Sequence, residues 1–380
     1  MDFSWTEEQL AFRRAAVELG RQLNEGLIER DRAGELSRDG WRACARFGLQ
    51  GLPMPEAYGG AGADILTTML TMEGLGSGCR DNGLIFAINA QMWSVQMPIL
   101  DFGTPDQKAR FLPPLVRGDW IGAHAMSEPD SGSDAYSLRA RAERRGDGYM
   151  LNGTKTFVTN APVADVTLVF ATVDSSKGMW GVTAFLVERG TAGFRVSRDI
   201  DKLGLRTSPM AEVILEDCFL PEAARLGPEG AGANIFNSSM EWERSCILAS
   251  HLGAMERQLE GAVRYARERQ QFGQPISKFQ SVSNRIVDMR VRLETARLLL
   301  YKVAWMKKTG LPAVQEAALA KLYLSECFLQ SSLEAIRIYG GYGYMTEFEV
   351  ERDLRDSIGG TIYSGTSDIQ RVIAARLMGL

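Results

Sequence analysis

The chain has 380 residues, 45% hydrophobic and 24% charged, an ordinary balance for a folded protein with a large core divided into two or three domains. Its 43 basic and 47 acidic residues leave a formal net charge of −4, which argues against nucleic acid as a main partner. Five scattered cysteines (Cys44, Cys79, Cys218, Cys246, Cys327) contain no CxxC pair, so neither a disulfide framework nor a zinc site is indicated, and reduced thiols are expected.

The segment Met1 to Glu8 is acidic and lacks the basic and apolar regions of a signal peptide. The longest uncharged run, Asn82 to Leu100, holds Asn89, Gln91, Gln96 and Pro98, so it reads as a buried helix and not a membrane span. A cytoplasmic protein with no membrane partner is expected. Residues 1–120 read mainly as helices. Thr6 and Gln9 can form a capping box, followed by apolar Leu10, Ala15, Val17 and Leu19. A Gly/Pro loop from Gly51 to Gly60 precedes another helical run from about Asp64.

Past Gly118-Asp119-Trp120 the character changes. Short β-rich runs at 156–159, 166–172, 182–187, 194–197 and 213–215 are punctuated by turn residues at Asn152-Gly153, Ser175 to Gly178 and Gly190 to Gly193, which suits an antiparallel sheet or barrel over 121–228. A Gly-rich stretch from Gly227 to Gly232 marks the next boundary. Over 229–380 the pattern is helical again, and Ile286, Met289, Leu293, Ala296, Leu300 and Val303 form a seam for packing long helices. The expected class is α+β: an N-terminal helical domain, a central antiparallel β-barrel domain and a C-terminal helical bundle.

Several segments carry possible chemistry. Met126 to Asp134 combines small hydroxyl residues with a glycine, which lets donors approach a planar polar ring; the alternative is a serine-rich surface turn. Asn152 to Asn160 reads as a turn and strand, with Phe157 either a ring-stacking aromatic or a plain core residue. Arg267 to Gln274 ends a long helix, and an arginine fork there suits a pyrophosphate. Between Gly261 and Gly310 eleven Lys or Arg oppose three Asp or Glu, most of them expected on solvated helix faces. Gly340-Gly341 either lets backbone lie close to a ligand or stops a helix. No GxGxxG follows a strand, no GxxxxGK[ST] occurs, and His124 and His251 stand outside any metal-ligand pattern.

In Met240-Glu241-Trp242-Glu243-Arg244, Glu243 is flanked at helical spacing by Met240, Cys246 and Ile247. Burial on such a stripe disfavours the charged form of a carboxylate and makes it a better proton acceptor. The alternative is a salt-bridged helix glutamate.

Tyr363-Ser364-Gly365-Thr366-Ser367-Asp368-Ile369-Gln370, with Asp353-Leu354-Arg355-Asp356 before it, resembles the C-terminal signature of the acyl-CoA dehydrogenase family of flavoenzymes. The likeness extends to the α–β–α order over essentially the whole chain. It implies FAD as cofactor and no metal. In many members a catalytic glutamate stands where this chain has Ser364. In the branch that includes isovaleryl-CoA dehydrogenases the base lies instead on the helix matched by Met240 to Arg244, which places it at Glu243.

By the same resemblance Met126, Ser127, Ser133, Phe157 and Thr159 face the flavin, and Ser133, Arg244 and Ser364 face the acyl thioester. Arg269, Gln271, Phe272, Gln280, Arg337, Gly341, Thr366 and Asp368 are implied in FAD binding, and in the family such residues complete the pocket of a neighbouring subunit, within a homotetramer. Trp242-Glu243-Arg244 together with Ser364-Gly365-Thr366 resembles the group acting on prolyl carrier proteins in pyrrole formation. This implies a peptidyl or acyl carrier protein with a phosphopantetheine arm as partner, and an electron-transfer flavoprotein or O2 as acceptor. A branched-chain acyl-CoA dehydrogenase and a non-redox acyl-binding scaffold are the alternatives.

Overall fold

A computed structural model describes residues 4–380; Met1 to Phe3 of the acidic N-terminal segment lie outside the described residues. Thr6 caps the helix Glu7–Gln22 through a complete capping box with Gln9. The inward face is set by Ala16 and Gly20; Ala15, expected inside, is exposed. Asp64 caps the helix Ile65–Gly78, accepting from the Thr67 N–H. That helix passes so close to the helix Ala249–Glu268 that a Cβ on Gly76 would lie 1.9 Å from the Ser250 carbonyl oxygen. N-terminal and C-terminal helices therefore share one apolar core, in which Trp41, Trp93, Met255 and Phe328 are fully buried.

The run Asn82 to Leu100 is buried as expected but is not one helix. The α-helix Asn82–Gln91 opens into a π turn, Met92–Gln96, and resumes as Met97–Phe102. The Met97 N–H reaches back five residues to the Met92 carbonyl. Pro98 gives the sequence cause: it has no N–H for the Ser94 carbonyl and its ring crowds that oxygen.

The middle of the chain forms strands β1 (Gly122–Ala125), β2 (Arg141–Arg145), β3 (Gly148–Thr159), β4 (Val166–Thr172), β5 (Val182–Glu188), β6 (Phe194–Val196), β7 (Met210–Pro221) and β8 (Arg225–Leu226). They join in one sheet of order β6-β7-β3-β2-β4-β5-β8, with β1 added to β4. Most pairings are antiparallel as expected, but β1 and β2 both pair β4 in parallel, so the sheet is mixed. Asn152-Gly153, expected as a turn, lies inside β3 at a bulge against β7, and a Cβ on Gly153 would meet Ala140 at 2.6 Å.

The helices Gly232–Cys246, Ala249–Glu268, Gln280–Lys308, Val314–Tyr339, Val350–Gly360 and Ser367–Leu377 follow. The expected seam is buried at Met289, Leu293, Ala296, Leu300 and Val303, with Ile286 half-buried at its start. The five cysteines are free and buried. Among the described residues no helix is long and apolar enough to cross a membrane.

Candidate active site

Glu243 sits near the end of the helix Gly232–Cys246, 7% exposed, with buried Met240, Cys246 and Ile247 beside it. Each carboxylate oxygen accepts one hydroxyl: Ser364 Oγ donates to Oε1 at 2.6 Å and Ser94 Oγ to Oε2 at 2.5 Å. Among the described residues Glu243 makes no ion pair, so it is not the salt-bridged helix glutamate. Two neutral donors fix the orientation of this buried carboxylate, as a positioned base requires.

Ser364 reaches Glu243 from a strained turn. Its φ is 56°, a left-handed value that costs a residue with a Cβ about 1–3 kcal/mol and persists only where the surroundings enforce it. Here they do. The Ser364 carbonyl accepts from Arg244 Nε and Gln370 Nε2, both at 3.0 Å, and the Gly365 carbonyl accepts from Lys321 Nζ at 2.8 Å and Gln370 Nε2 at 2.9 Å. The guanidinium of Arg244, expected against the thioester, thus spends a donor on this turn.

Lys321 is fully buried and has no carboxylate within ion-pair distance among the described residues. Burial, then Arg244, pushes its ammonium down to about 7, with Glu243 opposing. Tyr363 packs on Phe86 with ring centroids 4.6 Å apart, and burial, Glu243 and Asp356 hold its phenol well above the usual range.

Behind Tyr363, its hydroxyl lies 3.3 Å from His251 Nε2, and the imidazole packs on Phe328. Burial and then Lys321 push His251 down from 6.5 to about 4, while Asp353 pulls the other way. The unfolded imidazole therefore takes up a proton below pH 6.5, and the folded one only near 4. Stability is full above that window and is lost as pH falls through it, by up to about 3 kcal/mol for this one group. Chemical denaturation of the protein between pH 7 and 4 should show this loss, and His251→Leu should remove about one proton from the slope; an unchanged slope would mean His251 titrates alike in both states.

The segment Met126 to Asp134 is pinned to β3. Lys155, with no exposed surface, donates to Glu128 at 2.7 Å and to the Met126 carbonyl at 3.1 Å, and the Thr156 N–H donates to the Ser127 carbonyl at 2.9 Å. Glu128 also accepts the N–H groups of Arg139 and Ala140. Met126 is buried, Ser127 half-buried and Ser133 exposed on the outer turn. Phe157 is no core residue: it stands 65% exposed, at φ 55°, in a second irregularity of β3, with half-buried Thr159 two residues on.

A third set lies elsewhere. Gln270–Gln271 and Gln274–Pro275 form a small hairpin whose turn, Phe272-Gly273, carries a ring 94% exposed. Arg269 lies over the Tyr342 ring, 5.4 Å from its centroid, with no carboxylate partner among the described residues. Arg269, Gln271, Tyr339, Gly340 and Gly341 line a groove of about 470 Å³. Gly340 ends the helix Val314–Tyr339 at φ 60°, and Gly341 has open space where a Cβ would stand. Of the other residues implied in FAD binding, Arg337 is paired to Glu334 at 2.7 Å and Asp368 to Arg371 at 3.0 Å. Thr366 caps the helix Ser367–Leu377, and Gln280 is exposed at the start of its helix.

Ser94, Lys321 and Gln370 were not legible as site residues. Ser94 meets Glu243 across 149 positions of sequence, and only the Pro98 behind the π turn hints that this helix is unusual.

Comparison with known proteins agrees with this architecture. The chain matches the acyl-CoA dehydrogenase N-terminal domain over residues 6–119, the middle domain over 123–218 and the C-terminal domain over 230–379. It is 48% identical over 341 residues to an L-prolyl-(peptidyl-carrier protein) dehydrogenase of Pseudomonas fluorescens, covering 90% of each chain. Among solved structures it is similar to the prolyl acyl carrier protein oxidase AnaB, with 51% identity and a TM-score of 0.98 over 99% of this chain and 100% of that one. Butyryl-CoA dehydrogenase from Megasphaera elsdenii superposes with a TM-score of 0.96 at 37% identity, over the full length of both chains. The chain belongs to the acyl-CoA dehydrogenase family.

Proposed function

We propose that this protein is a FAD-dependent dehydrogenase of acyl thioesters that oxidises the Cα–Cβ bond of a prolyl group carried on the phosphopantetheine arm of a carrier protein. The observation that carries the reading is Glu243, a buried carboxylate with both oxygens held by hydroxyls and no ion pair among the described residues. The names of the relatives at 48% and 51% identity supply the substrate class.

The residues present fit FAD. Ser127 and Thr159 offer donors beside the exposed Phe157 ring, as an isoalloxazine requires. Arg269, with no carboxylate partner among the described residues and beside open glycine backbone, suits a pyrophosphate, and Gln271 and Phe272 project from the same hairpin. When bound, FAD supplies the two-electron acceptor for the hydride that leaves Cβ. Glu243 takes the proton from Cα, and the electron pair left behind becomes the new Cα–Cβ π bond. Ser364 holds one carboxylate oxygen, while Arg244, Gln370 and Lys321 hold the turn that presents Ser364. Ser133 is exposed, and in this reading it is left to contact the thioester arm.

The outward hairpin with Phe272 supports a pocket completed across a subunit interface, in a homotetramer. Val287, Val291, Leu298 and Trp305, each more than half exposed on the long helix Gln280–Lys308, supply apolar surface for such an assembly. FAD should co-purify at about one per chain, and Arg269→Ala should lose it on gel filtration. A wild-type chain that is monomeric yet fully flavin-loaded would contradict the shared pocket. The activity itself is tested by mixing the oxidised protein with prolyl-loaded carrier protein without oxygen and weighing the carrier for loss of two hydrogens.

A further inference from the structure

Two dipeptides meet at the site. Trp93-Ser94 lies in the π turn and Trp242-Glu243 on the helix Gly232–Cys246. The tryptophans stack with centroids 6.2 Å apart at an interplanar angle of 12°, while the serine donates to the glutamate at 2.5 Å. Trp93 is fully buried and donates its indole N–H to Asn89 at 2.8 Å; Trp242 is covered on its other side by the Lys307 ammonium, 4.2 Å from its ring centroid. Lys307 in turn is bonded to Glu241 at 2.7 Å. The stack therefore fixes the register between the π turn and the helix one residue away from the Ser94–Glu243 bond. In a regular helix the extra residue of the π turn would be absent and the direction of Ser94 rotated. Ser94 is 2% exposed, so its hydroxyl is held away from bulk water.

Resting on the reading of Glu243 as the base, we propose that Ser94 is the positioning residue for that base: the π turn and the Trp93–Trp242 stack aim its hydroxyl so that, with Ser364 on the other oxygen, the carboxylate plane is fixed and its anion is held ready to accept the Cα proton. Misplacing a reacting group by about 1 Å can cost roughly 10²-fold in rate, so loss of one of the two donors that orient the carboxylate is expected to cost about tenfold or more.

The test follows flavin bleaching by prolyl-loaded carrier protein, with oxygen excluded, in the flavin-loaded wild type, Ser94→Ala, Ser94→Thr and Glu243→Gln across substrate concentration. Isovaleryl-CoA is the substrate if the carrier protein gives no bleaching. Ser94→Ala is expected to keep its flavin and its half-saturating substrate concentration and to bleach about tenfold or more slowly at saturation; Ser94→Thr, which restores a hydroxyl, should return the rate. Wild-type rates in Ser94→Ala, or a slowed rate that Ser94→Thr does not restore, would overturn the assignment. If Ser94→Ala is unaffected while Glu243→Gln is inert, the positioning role alone fails. If Glu243→Gln bleaches as fast as wild type, the reading of the base fails with it.

Discussion

Glu243→Gln should leave the fold and the bound flavin intact and stop reduction of that flavin by substrate. The amide has the volume of the carboxylate and can still meet the hydroxyls of Ser94 and Ser364, so neither the π turn nor the strained turn at Ser364 loses its partner. What is lost is the basicity. Removing a positioned general base costs roughly 10²–10⁴-fold, and the upper end is expected because among the described residues no other carboxylate touches this pair of hydroxyls. Ser364→Ala should be much milder. Ser364 is only half-buried, so water can replace its hydroxyl on Oε1, and its own oxygen is far too weak a base to act alone. Stopped-flow reduction without oxygen separates the two. If Ser364→Ala were as damaging as Glu243→Gln, Glu243 would not be the sole essential group.

The second large effect concerns the carrier. Prolyl-loaded carrier protein should reduce the flavin about tenfold faster or more than prolyl-CoA at equal concentration, the equivalent of about 1.4 kcal/mol of docking contact. Carrier proteins are commonly acidic around the attachment serine, so the advantage should shrink as salt screens the two surfaces. Arg285, Arg290, Arg292 and Arg297 are the arginines of the seam helix Gln280–Lys308 that a basic rim would draw on. The structure assigns most of them elsewhere: Arg297 bonds Glu73 and Glu256, Arg285 bonds Glu334, and Arg290 pairs with Glu294. Arg264 and Arg267 are exposed and have no carboxylate partner among the described residues, so they are better placed to meet an acidic surface. A rate indifferent to salt would mean that the phosphopantetheine arm, and not the protein surface, carries recognition.

The order helices, sheet, helices was legible because each part obeys a local rule: a capping box at Thr6, runs of β-branched residues in β4 and β5, and a heptad-like seam from Met289 to Val303. What was missed lacks such a signal. β1 is Gly-Ala-His-Ala and β2 is Arg-Ala-Glu-Arg-Arg, neither of which carries the β-branched alternation of a strand; pairing with longer neighbours makes them strands. Asn152-Gly153 has the composition of a hairpin turn, yet the long pairing of β3 with β7 absorbs it as a bulge. At the site, Glu243 was singled out from its apolar flanks Met240, Cys246 and Ile247 and from the family resemblance of its segment. Ser94 and Lys321 could not, since their partners are brought in from distant sequence and each looks locally like an ordinary helix residue. The exposure of Phe157 was also hidden, because a Phe between Thr156 and Val158 suits a strand core equally well.

The most direct test is the rate of flavin bleaching, without oxygen, when the FAD-loaded protein is mixed side by side with prolyl-loaded carrier protein and with isovaleryl-CoA. Fast bleaching by the prolyl carrier, slow bleaching by isovaleryl-CoA and none by either in Glu243→Gln is the predicted result. Equal or faster bleaching by isovaleryl-CoA would contradict the account and make the protein a branched-chain acyl-CoA dehydrogenase.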